Sequence, residues 1–244
     1  MADFSAIFDG SGSPDGTLAL VVAGFVGTSE QWLELERNWK QCLDDFGVPA
    51  LHMKDFAHSQ GDFKAWKGDE QRRRRFLSRL TNIISTRVRH SFGSAVVMGD
   101  YRKVDAKYKL REHSRPYSIA ACSCLISVRN WALKWLKPTD RIFLVFEDGD
   151  LDKGDLMRTA KTYFDAVPSF LPKSHSVAFQ AADLLAYEQL LANVKIQTSS
   201  RITFDELRYP LRELSKIPGS NDWGVHDGSD MTRGCIDDKI PLRN

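Results

Sequence analysis

The segment Ile142-Phe143-Leu144-Val145-Phe146 constrains the fold more than any other part of the sequence. A run of consecutive apolar residues of this type is typical of a strand that is covered on both faces, which requires packing layers on either side of a sheet. Glu147 follows immediately, so this strand ends in a carboxylate. A strand of this kind predicts an α/β fold in which functional sites lie at strand ends.

A second predicted strand that ends in a carboxylate opens the chain. In residues 4–13, apolar residues alternate with small ones, and a glycine-serine turn follows. Because side chains alternate between the two faces of a strand, Asp9 shares a face with Ile7. Taken alone, Asp9 has an equally good explanation as a turn residue whose carboxylate bonds the local backbone.

A third carboxylate, Asp183, interrupts the apolar face of a helix predicted over residues 179–191. A buried carboxylate is costly unless it is paired or bound to a cation. The sequence has no lysine or arginine immediately beside Asp9, Glu147 or Asp183. Oxygen-rich clusters of this kind suit Mg²⁺ or Mn²⁺, so we expect the three carboxylates to meet around divalent metal.

These segments resemble the ribonuclease H-like superfamily, and within it the family called domain of unknown function 3800. The matching motifs are Phe8-Asp9-Gly10-Ser11-Gly12, the strand that ends in Glu147-Asp148, and Ser174 through Gln180-Ala181-Ala182-Asp183-Leu184-Leu185-Ala186. The resemblance implies a ribonuclease H-like mixed β-sheet flanked by helices. Asp9 and Glu147 would end adjacent central strands, and Asp183 would lean in from the last core helix. The family usually has an acidic residue where Gly10 stands.

The resemblance also implies metal-assisted hydrolysis of phosphodiester bonds in DNA or RNA. Two Mg²⁺ or Mn²⁺ ions would be held by Asp9, which bridges them, and by Glu147 and Asp183, with Asp148 as an outer ligand. These four residues are therefore the candidate metal ligands, and the first three are the candidate catalytic residues.

Further candidate ligands of the substrate come from other segments. His52 and Gln180 would orient water or phosphate, and Ser11 lies in the turn after the first strand. His52 also has a plainer interpretation, as a hydrogen-bonded histidine next to a solvated Asp55.

A basic loop is predicted over residues 100–115. Its candidate nucleic-acid ligands are Lys107, Lys109 and Arg111, with Tyr101 and Tyr108 interleaved. Cations beside aromatic rings suit the phosphates and stacked bases of a flexible nucleic acid. Acidic residues in the same segment weaken this attraction and leave a solvated loop as the alternative.

The arginine run at residues 72–75 lies on a helix predicted over residues 69–89. Four consecutive helical residues point in four directions, so only Arg72, Arg75 and Arg79 share a stripe. We interpret this stripe as a solvated helix face rather than as a phosphate-binding patch.

Composition describes an ordinary globular chain. Its 244 residues, 42% of them hydrophobic, are ample for a large core, and a net charge of +2 does not by itself indicate nucleic acid. The longest apolar run, residues 18–26, is too short for a membrane span. The chain shows no secretory signal and its cysteines form no CxxC pair, which predicts a cytoplasmic protein with reduced thiols.

We expect one ribonuclease H-like domain over residues 1–195. Residues 196–244 would form an extension that packs on the domain or on a partner chain, which leaves a homo-oligomer open. The other expected elements are strands at 18–27, 48–53 and 91–99, helices at 29–46, 116–135 and 151–166, a linker at 168–172, and no clear element over 219–244.

Two other functions remain open at this stage. In one, the same fold is a non-catalytic module that binds nucleic acid or another partner, and the replacement of an acid by Gly10 favours it. In the other, Asp9-Gly10-Ser11-Gly12-Ser13 binds a nucleotide phosphate, because it is similar to the phosphate hairpin of actin-like kinases and ATPases. The chain has neither the length nor the second motif of those proteins.

Overall fold

The fold is described here from a computed structural model, which covers residues 2–148, 153–163, 167–199, 203–218 and 223–243. Its strands are β1 (Asp3–Ser11), β2 (Ala19–Thr28), β3 (His90–Val97), β4 (Arg141–Glu147), β5 (Ser169–Leu171) and β6 (Gly224–His226). Its α-helices are α1 (Ser29–Phe46), α2 (Met53–His58), α3 (Glu70–Arg87), α4 (Met98–Lys107), α5 (Leu110–His113), α6 (Pro116–Trp135), α7 (Lys153–Tyr163), α8 (Ala178–Ser199), α9 (Tyr209–Leu214) and α10 (Gly228–Asp237).

The strands form one mixed sheet in the order β5-β4-β1-β2-β3-β6. Antiparallel pairing joins β1 to β2 and β2 to β3, so the chain opens with a β-hairpin. Parallel pairing joins β4 to β1, β5 to β4, and β6 to β3. The predicted α/β class with a mixed sheet is therefore confirmed.

Helices cover both faces of this sheet. Along β2, Val21 and Phe25 enter a core that includes side chains of α1, α3, α8 and α9. Val22 and Val26 enter a second core, which includes side chains of α4, α6 and α10. This alternation explains why β2 is apolar at almost every position. Within the described ranges, each helix is too short or too polar to cross a lipid bilayer.

Helix α8 lies directly on the central strands β1 and β2. Its first nine residues, 178–186, are all buried. Burial on all sides explains why apolar residues occur around the whole helix here and why polar residues are few. The Ala178 N–H donates to Ser176 Oγ at 3.1 Å, so the Ser176 hydroxyl satisfies one of the free amides at the start of α8. Because α8 packs on the central strands, Asp183 is buried inside the protein.

Two predictions of local structure are wrong. Residues 48–52 form no strand, because the Leu51 N–H donates to the side chain of Gln180 instead of to a neighbouring strand, and α2 begins at Met53. The predicted loop over residues 100–115 contains the helices α4 and α5. Helix α4 forms because Tyr101 and Val104 are buried at helical spacing.

Elements also occur where none was predicted. Strand β5 lies within the predicted linker at residues 168–172 and extends the sheet beyond β4. Within residues 219–244, β6 pairs with β3 and α10 packs on α4. The helix predicted over residues 151–166 is present as α7, and residues 151, 152 and 164–166 lie outside the described part of the chain.

Candidate functional site

The parallel pairing of β1 with β4 brings the two strand-end carboxylates to the same edge. Phe8 is the register partner of Phe146, so Asp9 and Glu147 are the next residues of the two adjacent strands. Phe8 and Phe146 both enter the core on the α6 side of the sheet. Since side chains alternate, Asp9 and Glu147 face the other side, where α8 lies.

A lysine links Asp9 to Asp183. The Lys173 Nζ atom is 2.7 Å from Asp9 Oδ2 and 3.4 Å from Asp183 Oδ2. Both carboxylates are almost fully buried, with 3% of Asp9 and 5% of Asp183 exposed. The predicted meeting of Asp9 and Asp183 therefore occurs, and in this arrangement the cation between them is an ammonium group.

Backbone amides complete part of the shell around these carboxylates. The Gly10 N–H donates to Asp9 Oδ1 at 2.7 Å, and the Met53 N–H at the start of α2 donates to Asp183 Oδ2 at 2.9 Å. Asp9 Oδ2 is buried, and the Lys173 ammonium group lies 2.7 Å from it. This oxygen retains lone pairs that a cation can use.

Burial raises the pKa of Asp9 to about 6, even though Lys173 lowers it. The charges of Asp183 and Glu147 raise that pKa further, so both lie close enough to Asp9 to repel its negative charge. At Lys173, burial works against the charged form, but Asp183 and Asp9 outweigh it and raise the pKa of the ammonium group. Asp9 and Asp183 thus share one partly buried lysine, and Glu147 adds a nearby negative charge.

His52 and Gln180 lie beside this cluster, and both have structural contacts. His52 is half exposed, and its Nδ1 is 3.0 Å from Asp55 Oδ2, as its plainer interpretation expects. Gln180 is buried, and its Oε1 accepts hydrogen bonds from Trp39 Nε1 at 3.0 Å and from the Leu51 N–H at 2.8 Å. A role for either residue in orienting substrate stays a prediction.

The other candidate ligands near the cluster differ in their surroundings. Ser11 is the last residue of β1 and shares a strand face with Asp9. Asp148 is exposed, and its carboxylate forms an ion pair with Lys153. Its N–H donates to the Leu171 carbonyl at 2.8 Å, which ties it to β5 rather than to Asp9.

The predicted basic segment has a different surface from the one expected. Tyr101 and Tyr108 are buried, with 3% and 8% exposed, so neither ring is available to stack on a base. Lys109 Nζ lies 3.9 Å from Glu112 Oε2, which offsets part of its charge. Lys107 and Arg111 remain exposed, and nucleic-acid contact by Lys107, Lys109 and Arg111 stays a prediction.

Sequence reasoning missed Lys173, which the structure places at the centre of the cluster. The prediction considered only cations immediately beside the carboxylates in sequence, and Lys173 precedes Asp183 by ten residues. A usable signal was present, because Lys173 follows Pro172 in the connection that leads into the acidic helix. When α8 packs on the sheet, the connection before it passes close to the end of β1, which places Lys173 next to Asp9.

The carboxylate oxygens of the cluster suit a hard divalent cation, but the side chains are not arranged to coordinate one in this structure. Within the described residues, no group of three or more His, Cys, Asp or Glu side chains is positioned to hold a metal ion. The cluster nevertheless has features that Mg²⁺ and Mn²⁺ require: carboxylate oxygens, excess negative charge, and a buried oxygen on Asp9 that now contacts Lys173. Movement of Lys173 away from Asp9 would open that position.

Comparisons of the chain with family models, with curated proteins and with solved structures found no match. The resemblance to the ribonuclease H-like superfamily therefore stays a prediction from the sequence motifs.

Proposed function

We propose that the protein is a metal-dependent nuclease that hydrolyses phosphodiester bonds. The observation that carries this proposal is the acidic cluster, in which the buried carboxylates of Asp9 and Asp183 share one cation, Lys173, and the charge of Glu147 raises the pKa of Asp9 further. Such an excess of buried negative charge is unstable unless the carboxylates are protonated or further positive charge binds. A site that is built to lack positive charge is suited to binding a metal ion.

Asp9, Glu147 and Asp183 would hold Mg²⁺ or Mn²⁺. When bound, the metal supplies positive charge for the developing oxyanion and lowers the pKa of a coordinated water. Asp9 lies between the other two acids and would be the shared ligand. The amide groups of Gly10 and Met53 hold the carboxylates of Asp9 and Asp183 in fixed orientations, which limits the reorganisation needed on binding.

The sheet supports the ribonuclease H-like part of the proposal. The resemblance implies that Asp9 and Glu147 end adjacent strands and that Asp183 comes from a core helix. The parallel pairing of β1 with β4 and the packing of α8 on β1 agree with both placements. Strand ends of this kind are where open α/β sheets bind ligands.

A calorimetric titration of the purified protein with Mn²⁺ tests the proposal. We expect about two equivalents to bind wild type, as in two-metal sites, and we expect Asp9→Asn and Asp183→Asn to lose this binding while remaining folded. The matched control is Glu188→Gln, which changes a buried carboxylate on the same helix and should bind Mn²⁺ like wild type. Equal binding by wild type and both aspartate variants would refute the assignment.

A non-catalytic module is the second candidate function. Lys173 favours it, because an ammonium group between Asp9 and Asp183 stabilises the cluster without metal. The presence of Gly10, where the family usually has an acid, points the same way. Absence of Mn²⁺ binding, both alone and with an added oligonucleotide, would make this function the better explanation.

A further inference from the structure

The four arginines at the start of α3 divide into two pairs with different environments. Arg72 Nη2 donates to the Phe46 carbonyl at 2.7 Å, and its guanidinium lies 4.3 Å from the centre of the Trp66 ring. Arg73 Nη2 donates to the Phe56 carbonyl at 2.8 Å and lies over the Phe56 ring at 4.2 Å. This first pair anchors α3 to the core and is unavailable to a ligand.

The second pair, Arg74 and Arg75, points outward. Both side chains are exposed, and neither has an ion pair or hydrogen bond from its side chain to any residue in the described ranges. They are not neutralised by the acids nearby, because Glu70 pairs with Arg73 and Asp45 pairs with Arg79. Two adjacent positive charges without a counter-charge favour binding of an anion.

Arg74 and Arg75 line an open groove of about 560 Å³ between α3 and α9. The rest of its lining is Ser78, Arg79, Asn82 and Tyr209, so the described lining has three cations and no carboxylate. Ser78 Oγ is 2.9 Å from the Tyr209 hydroxyl, which fixes the ring at the edge of the groove with 40% of the residue exposed. The groove therefore offers both a positive surface and an accessible aromatic ring.

We propose that this groove binds the phosphodiester backbone of a single-stranded nucleic acid, with Arg74 and Arg75 at phosphates and Tyr209 against a base. The combination of fixed cations with an exposed ring is the one that flexible strands require, whereas a small anion would need only the arginines. This inference rests on the proposed nuclease function and names the substrate surface. It reverses the interpretation of the arginine run as a solvated face.

The location of the groove agrees with this role. Helices α3 and α8 contribute to the same core, and α9 packs on both of them. The groove is therefore on the face of the sheet that also carries Asp183. Compared with residues 107–111, it has exposed rather than buried aromatic groups and two arginines without partners among the described residues.

The test is fluorescence anisotropy of a labelled single-stranded oligonucleotide of about 20 nucleotides, a length that can span several contacts. It is recorded in EDTA over a range of salt concentrations. We expect Arg74→Glu/Arg75→Glu to weaken binding at least roughly tenfold and to reduce the slope of log K against log salt by about 1.4, or about 0.7 for each lost phosphate contact. We expect Tyr209→Leu to weaken binding without changing the slope.

The matched control is Lys64→Glu/Lys67→Glu, which makes the same change of charge at two other exposed residues. Equal affinity and slope in the two double variants would overturn the proposal, as would equal binding of an acidic peptide or no binding of the oligonucleotide by wild type. Melting temperatures confirm that both variants are folded.

The result is separable from the test of the nuclease. EDTA removes metal from the acidic cluster, so the anisotropy measurement records oligonucleotide binding without a contribution from bound metal. Groove-dependent binding without Mn²⁺ binding would refute the nuclease and retain the groove. Mn²⁺ binding and cleavage that survive the arginine reversal would refute the groove and retain the nuclease.

Discussion

Helix α8 carries two buried carboxylates, Asp183 and Glu188, and their surroundings differ in an instructive way. Each lies near a cation that reaches in from the surface: Lys173 Nζ is 3.4 Å from Asp183 Oδ2, and Arg208 Nη1 is 3.1 Å from Glu188 Oε1. Asp183 and Asp9 share one cation, and the charge of Glu147 raises the pKa of Asp9 further. Glu188 and Arg208 form a pair with equal and opposite charges.

The two carboxylates also differ in their hydrogen bonds. Asp183 Oδ2 accepts a hydrogen bond from the Met53 N–H, whereas neither oxygen of Glu188 accepts a hydrogen bond from the described residues. Burial raises the pKa of Glu188 to about 7 although Arg208 lowers it. Burial and a raised pKa are therefore not sufficient to identify a site. Fixed orientation together with unbalanced charge distinguishes the Asp9 cluster from the Glu188 pair.

The largest expected difference between the two carboxylates is in catalysis. Asp183→Asn should lower kcat/KM for an oligonucleotide about 100-fold or more, because it removes a group that holds charge at the reacting phosphate. Glu188→Gln should leave kcat/KM within about twofold, since that residue lies away from the cluster. Cleavage assays with Mg²⁺ and with Mn²⁺ measure both. Comparable losses in the two variants would contradict the distinction between them.

The pH dependence of stability should separate the two regions next. The pKa of Glu188 is about 7 when folded and 4.5 when unfolded, so the folded state retains a proton that the unfolded state releases. This carboxyl should therefore cost about 3 kcal/mol of unfolding free energy as pH rises from 4.5 to about 7.

Urea unfolding of wild type and Glu188→Gln across that pH range measures the effect. The variant should lose less stability than wild type, because its amide does not titrate. Asp9 should add a similar dependence between pH 3.8 and about 6, and only this part should disappear when Mn²⁺ is added. An identical pH dependence in the two proteins would show that Glu188 does not titrate as described.

A smaller effect should distinguish the two cations. Lys173→Met leaves Asp9 and Asp183 without their cationic partner and should lower the unfolding free energy of the metal-free protein by about 2 kcal/mol, because the partly exposed lysine is less costly to lose than a fully buried one. Arg208→Met should destabilise the protein by a similar mechanism at Glu188.

Mn²⁺ separates the two variants. It should raise the melting temperature of Lys173→Met more than that of wild type, since the ion no longer competes with the ammonium group. It should raise the melting temperature of Arg208→Met only as much as that of wild type. An equal gain in both variants would mean that Lys173 does not lie in the cation position.

Much of the acidic cluster could be predicted from the sequence, because each acid interrupts a strong local pattern. Asp9 lies near the end of an apolar strand, Glu147 ends another, and Asp183 lies on the apolar side of a helix. Lys173 could not be placed in the same way, since its position depends on how the connection before α8 crosses the sheet. Local periodicity contains no information about that path.

The elements that the sequence did not predict are either very short or rich in charged residues. Strands β5 and β6 have three residues each, too few to show an alternation of two residues. Helix α4 was missed because the basic residues of its exposed side were given more weight than the buried spacing of Tyr101 and Val104. The groove lined by Arg74 and Arg75 could not be predicted, because it forms only where α3 and α9 pack together. The sequence around Tyr209 does not indicate that its hydroxyl contacts Ser78.

The parallel pairing of β1 with β4 has a consequence for protein synthesis. Strands β1, β2 and β3 can pair as soon as they leave the ribosome, whereas Glu147, Lys173 and Asp183 emerge much later. At roughly 5–20 residues per second, the delay between Asp9 and Asp183 is on the order of ten seconds or more. A nascent chain of the proposed nuclease would thus lack its complete acidic cluster for most of the time that it is attached to its own messenger RNA.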